Sequence, residues 1–431
     1  MLKQQLAMLK NPSYMQSSLS FLLFFASWGI WWSFFQVWLT SKTNGLGLSG
    51  SEVGTIFSAN SFVTIIMMFT YGALQDKLII KRYLLIFCAA IASSIGLFFI
   101  FIYQPLLKNH FMVGVIIGSI VLSAGFLAAA STFEAVSERF SRLFNFEYGQ
   151  ARAWGSFGYA IVALAAGFLF VINPKLNFIV GSVLGVLLLI NLIFWVPPAE
   201  REAKEKLANS SLTNDIEAID SAPSIKDMLS LLKLKELWAI ILFTCFSWTF
   251  YTIFDQQMFP DFYTHLFSTP ARGEQMYGTL NSIQVFGEAL MMGVVPIIMK
   301  KIGVRNTLLL GVTVMFIRIG ACGFATNPVA VSLIKMLHSF EVPLFILSIF
   351  RYFTLHFDTK LSATLYLVGF GVASQIGQVL LSTPLGTLRD HIGYNDTFRV
   401  IALIVLVAGI YAWFILKKDD QDVKGDPFVR A

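Results

Sequence analysis

The feature that most limits this chain is a succession of apolar segments, at residues 18–40, 52–74, 83–104, 110–134, 152–172, 176–197, 236–258, 276–298, 306–324, 328–350, 361–384 and 397–416. Each is long enough for one helix across a bilayer, which needs about 20 mostly apolar residues. Such segments are read as helices because hydrocarbon offers no hydrogen bonds, so each must pair its own backbone groups. Twelve crossings absorb most of the 56% of residues that are apolar, and the charged share of 13% is about half that of a soluble domain. An ordinary soluble, disordered, collagen-like or disulfide-framework protein is excluded. Cys88, Cys245 and Cys322 each lie inside an apolar run at no metal-ligand spacing, so they indicate burial, and no metal site is expected. The first run carries Trp28, Trp31, Trp32 and Trp38 and is too long for a signal-peptide core, so it is expected to remain as the first helix.

Lysine and arginine set the expected orientation. With the N-terminus inside, the inner segments carry 22 of these residues and the outer loops 6, the latter being Lys42, Lys108, Lys175, Arg272, Arg389 and Arg399. This positive-inside bias puts both termini in the cytoplasm. The net charge of +6 is then a topological signal and implies no nucleic-acid partner. The polar stretch 198–235 reads as a cytoplasmic linker between an N-terminal six-helix bundle, 1–197, and a C-terminal one, 236–431. The halves echo each other in GALQDKLIIKRYLL from Gly72 and PIIMKKIGVRNTLLL from Pro296, both between the second and third helices of their half. Internal repeats of this kind are typical of transporters, although the basic character of inner loops alone also produces such matches.

Three basic residues remain inside the spans, Arg152, Arg318 and Lys335, together with Glu134, Asp255, Glu288, His338 and Glu341. A charge at mid-membrane costs on the order of 3 kcal/mol, so these groups are expected to face a water-filled cavity or one another. Lys335, His338 and Glu341 follow at steps of three, which places them within one arc of a helix at intervals of about 4.5 Å along its axis. A carboxylate in such a place takes up a proton readily, and a guanidinium beside it, here Arg318, promotes release. That is what a proton carrier requires. The plainer alternative is a set of buried salt bridges, which stabilise poorly compared with apolar packing. In the N-terminal half, Glu134 is expected to end helix 4 and Arg152 to begin helix 5, with Tyr159 two turns further along. An arginine fork beside a carboxylate suits sugar hydroxyls and the phenol ring suits stacking, unless the pair is an interfacial tie and the tyrosine part of an aromatic belt.

Longer motifs carry a resemblance. GALQDKLIIKR at 72–82, NFEYGQARAWGSFGYA at 145–160, FDQQMFPDFY at 254–263, YGTLNSIQVFGEAL at 277–290, KMLHSFEVPL at 335–344 and LSATLYLVGF at 361–370 resemble the oligosaccharide:proton symporter family of the major facilitator superfamily. The similarity runs from about Ser18 to Leu416, with ARAWGSFGYA, FDQQMFP and LLSTPLG most similar to its sucrose-transporting members. It implies an all-α membrane protein of twelve transmembrane helices in two six-helix bundles. By the same resemblance Glu134, Arg152, Tyr159, Glu288 and His338 bind substrate, Arg318, His338 and Glu341 couple the proton, Asp255 and Lys335 form a charge pair, and Asp76 acts in a conformational loop. The chain departs from the family at Ile79, where a loop glycine is usual, and at Thr252 and Ser374, where the lactose-transporting members have a second Asp–Lys pair. A gapless alignment puts their helix-8 glutamate at Val285, one turn before Glu288.

The expectation is therefore a proton-coupled disaccharide importer of the bacterial inner membrane, working by alternating access. Sucrose or a related fructose-containing sugar is the expected substrate, and a galactoside or raffinose-type sugar the alternative. The expected partners are the disaccharide, the co-transported proton and the lipid bilayer, with no cofactor and a monomeric chain. An exporter or an uncoupled facilitator of the same superfamily are rival readings. The chain lacks G-x-x-x-x-G-K-[ST], HExxH and GxSxG, so neither ATP-driven transport nor an intramembrane enzyme is indicated, and filter motifs of a channel are missing too.

Overall fold

The computed structural model describes residues 10–76, 82–209, 233–357 and 366–420. Among them all regular structure is helical. The membrane-crossing helices are α1 Pro12–Thr40, α2 Gly50–Leu74 (whose helix runs on to Asp76), α3 Tyr83–Asn109, α4 Phe111–Leu143, α5 Tyr148–Ile172, α6 Lys175–Phe194, α7 Lys235–Thr264, α8 Pro270–Ile302, α9 Val304–Cys322 and α10 Pro328–His356. The eleventh run, Leu367–Ile415, is too long for a single crossing. It divides at Gly393, where φ 78° and ψ 177° break the helical path, into α11 (367–392) and α12 (394–415). Only a residue without Cβ takes that conformation readily. Twelve spans result among the described residues. Several helices outrun their apolar segments, α4 by a further stretch to Leu143, because hydropathy reports hydrocarbon thickness while the helix continues into the polar boundary.

By contacts the chain forms two compact units, Met1–Phe35 with Val63–Ser224, and Gln36–Phe62 with Ile225–Ala431. The end of α1, the connecting loop and the first half of α2 thus pack with the later helices. In the first unit stacked rings fill the core, Phe24 on Phe133 at 4.2 Å and Phe99 on Phe178 at 4.1 Å. Polar ties supplement them, because helices in lipid associate through close packing and hydrogen bonds rather than through expulsion of water. Ser27 Oγ donates to the Gly181 carbonyl at 2.7 Å, and Asn191 Nδ2 donates to Ser20 Oγ at 2.9 Å.

Arg82, an inner-loop charge by sequence, is buried and paired with the buried Glu200 in the first turn of the short helix Pro198–Asn209. The start of the linker is thereby pinned to α3. Arg389, assigned from sequence to an outer loop, lies within α11, and Arg399 lies within α12.

Candidate functional site

Among the described residues two clusters of intramembrane charge stand out, one in each unit. In the first unit, Arg152 Nε donates to Glu134 Oε1 at 2.7 Å, and Nη1 reaches Ser156 Oγ at 3.4 Å. The two charged side chains keep 29% and 39% of their surface exposed, so they are paired yet open to a ligand. Neither sits at a helix end as expected from sequence: α4 continues past Glu134, and α5 begins at Tyr148. The reason is again the polar extension of each helix beyond hydrocarbon.

The Arg152 guanidinium lies over the ring of Phe25 on α1, 4.2 Å from its centroid. One turn further along α1, Gly29 faces the ring of Tyr159, and a Cβ there would approach its Cδ2 to 2.6 Å. Phe25 and Gly29 are four residues apart and share a face of α1. Arg152 and Tyr159 thus stand along one strip of α1, the arginine on an aromatic floor and the tyrosine in the space a missing side chain leaves. Phe25 and Gly29 escape the sequence reading because nothing in α1 distinguishes them from the apolar residues around them.

The second cluster gathers on α7, α8, α9 and α10. Arg318 is fully buried and holds Glu341 through two contacts, Nε to Oε2 at 2.9 Å and Nη2 to Oε1 at 2.6 Å. Its third nitrogen, Nη1, donates to Asp255 Oδ1 at 3.0 Å. That oxygen also accepts from Lys335 Nζ at 2.6 Å and lies 3.2 Å from His338 Nδ1. The expected pair of Asp255 and Lys335 is therefore part of a larger assembly in which one carboxylate oxygen meets three cationic or titratable groups. His338 also stands 3.7 Å from Glu288 Oε2 and 3.8 Å from Glu341 Oε1, so the imidazole touches all three carboxylates.

Local backbone features set this geometry. α10 is not one continuous helix: it runs Pro328–Lys335, turns at Met336 and Leu337, and resumes as His338–His356. Three-residue hydrogen bonds close the turn, among them Ser339 N to Met336 O at 3.1 Å, and residues three apart eclipse in such a turn. The interruption therefore preserves the shared face of Lys335, His338 and Glu341. Pro343 lies just beyond it and has no N–H to offer the Ser339 carbonyl. Gly287 lets α8 come close to Ser339, whose Oγ donates to the Gln284 carbonyl at 3.0 Å, and this approach brings Glu288 to His338. Asp255 lies in a π-helical turn of α7, Phe254–Met258.

Tyr251 was not singled out from sequence. It is buried, with its hydroxyl 3.4 Å from both ring nitrogens of His338 and its ring beneath Arg318 at 5.4 Å. The signal available was its place one turn before Asp255. Asp76 closes the helix Gly50–Asp76, but its side chain and loop residues 77–81, Ile79 included, lie outside the described residues. Among the described residues no group of His, Cys, Asp and Glu is arranged to hold a metal ion.

The profile of the LacY proton/sugar symporter family matches residues 6–426, nearly the whole chain. The protein belongs to this family. Over 424 residues it is 41% identical to the sucrose permease of Escherichia coli, covering 98% of each chain. Over 407 residues it is 34% identical to the raffinose permease of the same organism, covering 94% and 93%. The fold is shared with the nucleoside transporter NupG, at a TM-score of 0.75 over 94% of this chain and 100% of that one, with 14% identity. As a LacY-family member the protein is a sugar/proton symporter and a multi-pass protein of the inner membrane. Its relatives are permeases, not enzymes.

Proposed function

We propose that this LacY-family symporter carries sucrose, or a related fructose-containing saccharide, into the cytoplasm together with a proton, as a monomer with both termini inside. The greater likeness to the sucrose permease than to the raffinose permease, 41% against 34% identity, supports the substrate. The departures at Glu288, Thr252 and Ser374 from the lactose-transporting pattern point the same way.

In this reading Arg152 and Glu134 grip neighbouring hydroxyls, offering a donor and an acceptor side by side, and Tyr159 stacks on a sugar ring. Glu288 and His338 supply further polar contacts. Moving a carboxylate one turn along α8 displaces its acceptors by about 4.5 Å, and a hydroxyl left unmatched costs about 1–3 kcal/mol, enough to change the preferred sugar.

The observation that carries the coupling is the burial of Glu341 between Arg318 and His338. Asp255, Glu288 and Glu341 face two fixed cations, Arg318 and Lys335, and the imidazole of His338. One added proton makes the group electrically neutral, and a neutral group crosses between environments at the least cost. Glu341 takes the proton with Arg318 as the group that drives its release, while Asp255 and Lys335 hold α7 to α10. Asp76 acts in the loop after α2, and the linker 198–235 joins the two bundles of six helices that move in alternating access. At about 150 mV one proton supplies about 3.5 kcal/mol from potential alone, enough for accumulation of a few hundred-fold.

Uptake of labelled sucrose into cells expressing the chain, competed by unlabelled sugars and collapsed by a protonophore, tests the reading. Inhibition by galactosides without inhibition by fructofuranosides overturns the substrate and leaves the symporter intact; accumulation indifferent to the protonophore overturns the coupling.

A further inference from the structure

The loop joining α1 to α2 and the helix ends on either side of it are tied to α7, α8 and α11 by a polar network that the transport site does not use. Its hub is Asp261, buried near the end of α7. Thr40 Oγ1 donates to Asp261 Oδ1 at 2.7 Å, and the Tyr394 hydroxyl donates to Oδ2. The Asp261 backbone N–H donates to Gln36 Oε1 at 2.9 Å. Arg389 Nη1 donates to the Tyr394 hydroxyl at 2.6 Å and stands 3.9 Å from Asp261 Oδ2. His265, largely exposed, places Nδ1 3.5 Å from Asp261 Oδ1. Asn44 bonds the Glu274 carboxylate on α8, at 3.2 and 3.3 Å. Asp390 accepts from the first N–H groups of α2, Gly50 at 2.7 Å and Ser51 at 2.8 Å. Behind these ties Gly54 lies directly against the backbone of Ser382.

A permanent joint between membrane helices does not need a buried carboxylate, because close packing and neutral hydrogen bonds like those in the first unit hold helices without desolvating a charge. The network has a different property: it borders a cavity of about 710 Å³ whose wall includes Thr40, Asp261, Glu274, Arg389 and Tyr394. Water there can replace each protein partner as it leaves, which lowers the cost of separation. Ties of this kind hold firmly and release reversibly.

We propose that Asp261, with Thr40, Gln36, Tyr394 and Arg389, is a latch that holds the α1–α2 hairpin against α7 and α11, and that transport requires its release on each cycle. The inference rests on the alternating-access reading and adds to it the groups that set how readily this face opens. Neither Asp261 nor Tyr394 touches the sugar or proton clusters, so their loss shifts the balance between closed and open forms instead of removing a binding contact.

The test places a cysteine behind the latch, Ser382→Cys, where the parent side chain is fully buried. A membrane-impermeant thiol reagent is added to intact cells, with the chain lacking that cysteine as background. In the Ser382→Cys chain labelling is slow and accelerates with saturating sucrose. Adding Asp261→Asn, or the milder Tyr394→Phe, raises the sucrose-free rate about tenfold, the factor that one charge-assisted hydrogen bond is worth. Sucrose exchange by Tyr394→Phe persists, showing that the variant is folded. Acceleration by sucrose with no change in either latch variant overturns the latch. No response to sucrose, with both variants labelled faster, keeps the latch and overturns sucrose as the opener. No response to either overturns both.

Discussion

Arg318 and Glu341 meet through two contacts, at 2.9 and 2.6 Å, with neither side chain exposed. Removing the carboxylate charge while keeping its shape therefore mimics the protonated state. Glu341→Gln is expected to exchange sugar across the membrane at a rate near that of the parent and to lose uphill accumulation entirely. Counterflow and net uptake measured side by side check this, and accumulation at the parent level excludes Glu341 as the proton carrier.

Arg152→Lys keeps the charge and loses the planar fork, the stacking on Phe25 and the bond from Nε to Glu134. Sugar affinity is expected to fall at least a hundredfold, or about 3 kcal/mol, the loss of a charge-assisted contact together with its orientation. Equilibrium binding to purified protein measures it. Binding within a few-fold of the parent assigns Arg152 a structural role only.

The shared oxygen of Asp255 predicts an order of damage. Asp255→Ala strands Lys335 and removes a partner from Arg318 and His338 at once, whereas Lys335→Ala leaves Asp255 held by Arg318. The first is expected to be the worse, at about 3–5 kcal/mol for a buried unpaired charge, and the double variant to recover much of the loss. Thermal stability and surface expression of the three variants report it; a double variant no better than Asp255→Ala shows that the two side chains are not energetically paired.

Gly29→Ala is expected to displace the Tyr159 ring, since the new methyl group would come 2.6 Å from it. Overpacking of this sort costs about 1–3 kcal/mol. The expected signature is a several-fold rise in KM for sugar with proton coupling intact, because in the proposed reading the strip along α1 serves sugar recognition alone. An unchanged KM indicates that Tyr159 has no part in recognition.

The spans were legible because membrane helices must be long and apolar, and the common face of Lys335, His338 and Glu341 was legible because steps of three survive even the tighter turn at Met336 and Leu337. Partners were less so. Periodicity says which side of a helix a residue occupies and nothing about the helix opposite, so only the family resemblance pairs Asp255 with Lys335, and the contacts with Arg318 and His338 go unread. The π turn at Phe254–Met258 inserts a residue, which rotates the remainder of α7 by about 100° and puts the face of Asp261 beyond any regular count. Gly29 and Phe25 lie in a run where nearly every residue is apolar, and there the pattern has no contrast to read.

The division of α10 at Met336 and Leu337 leaves Lys335 on one rigid rod and His338 with Glu341 on another. The span from Lys335 to the imidazole therefore crosses the turn, whereas that from the imidazole to Glu341 lies within one helix. In the proposed reading, Met336 and Leu337 thus set the separation of the ammonium from the imidazole without carrying any charge themselves.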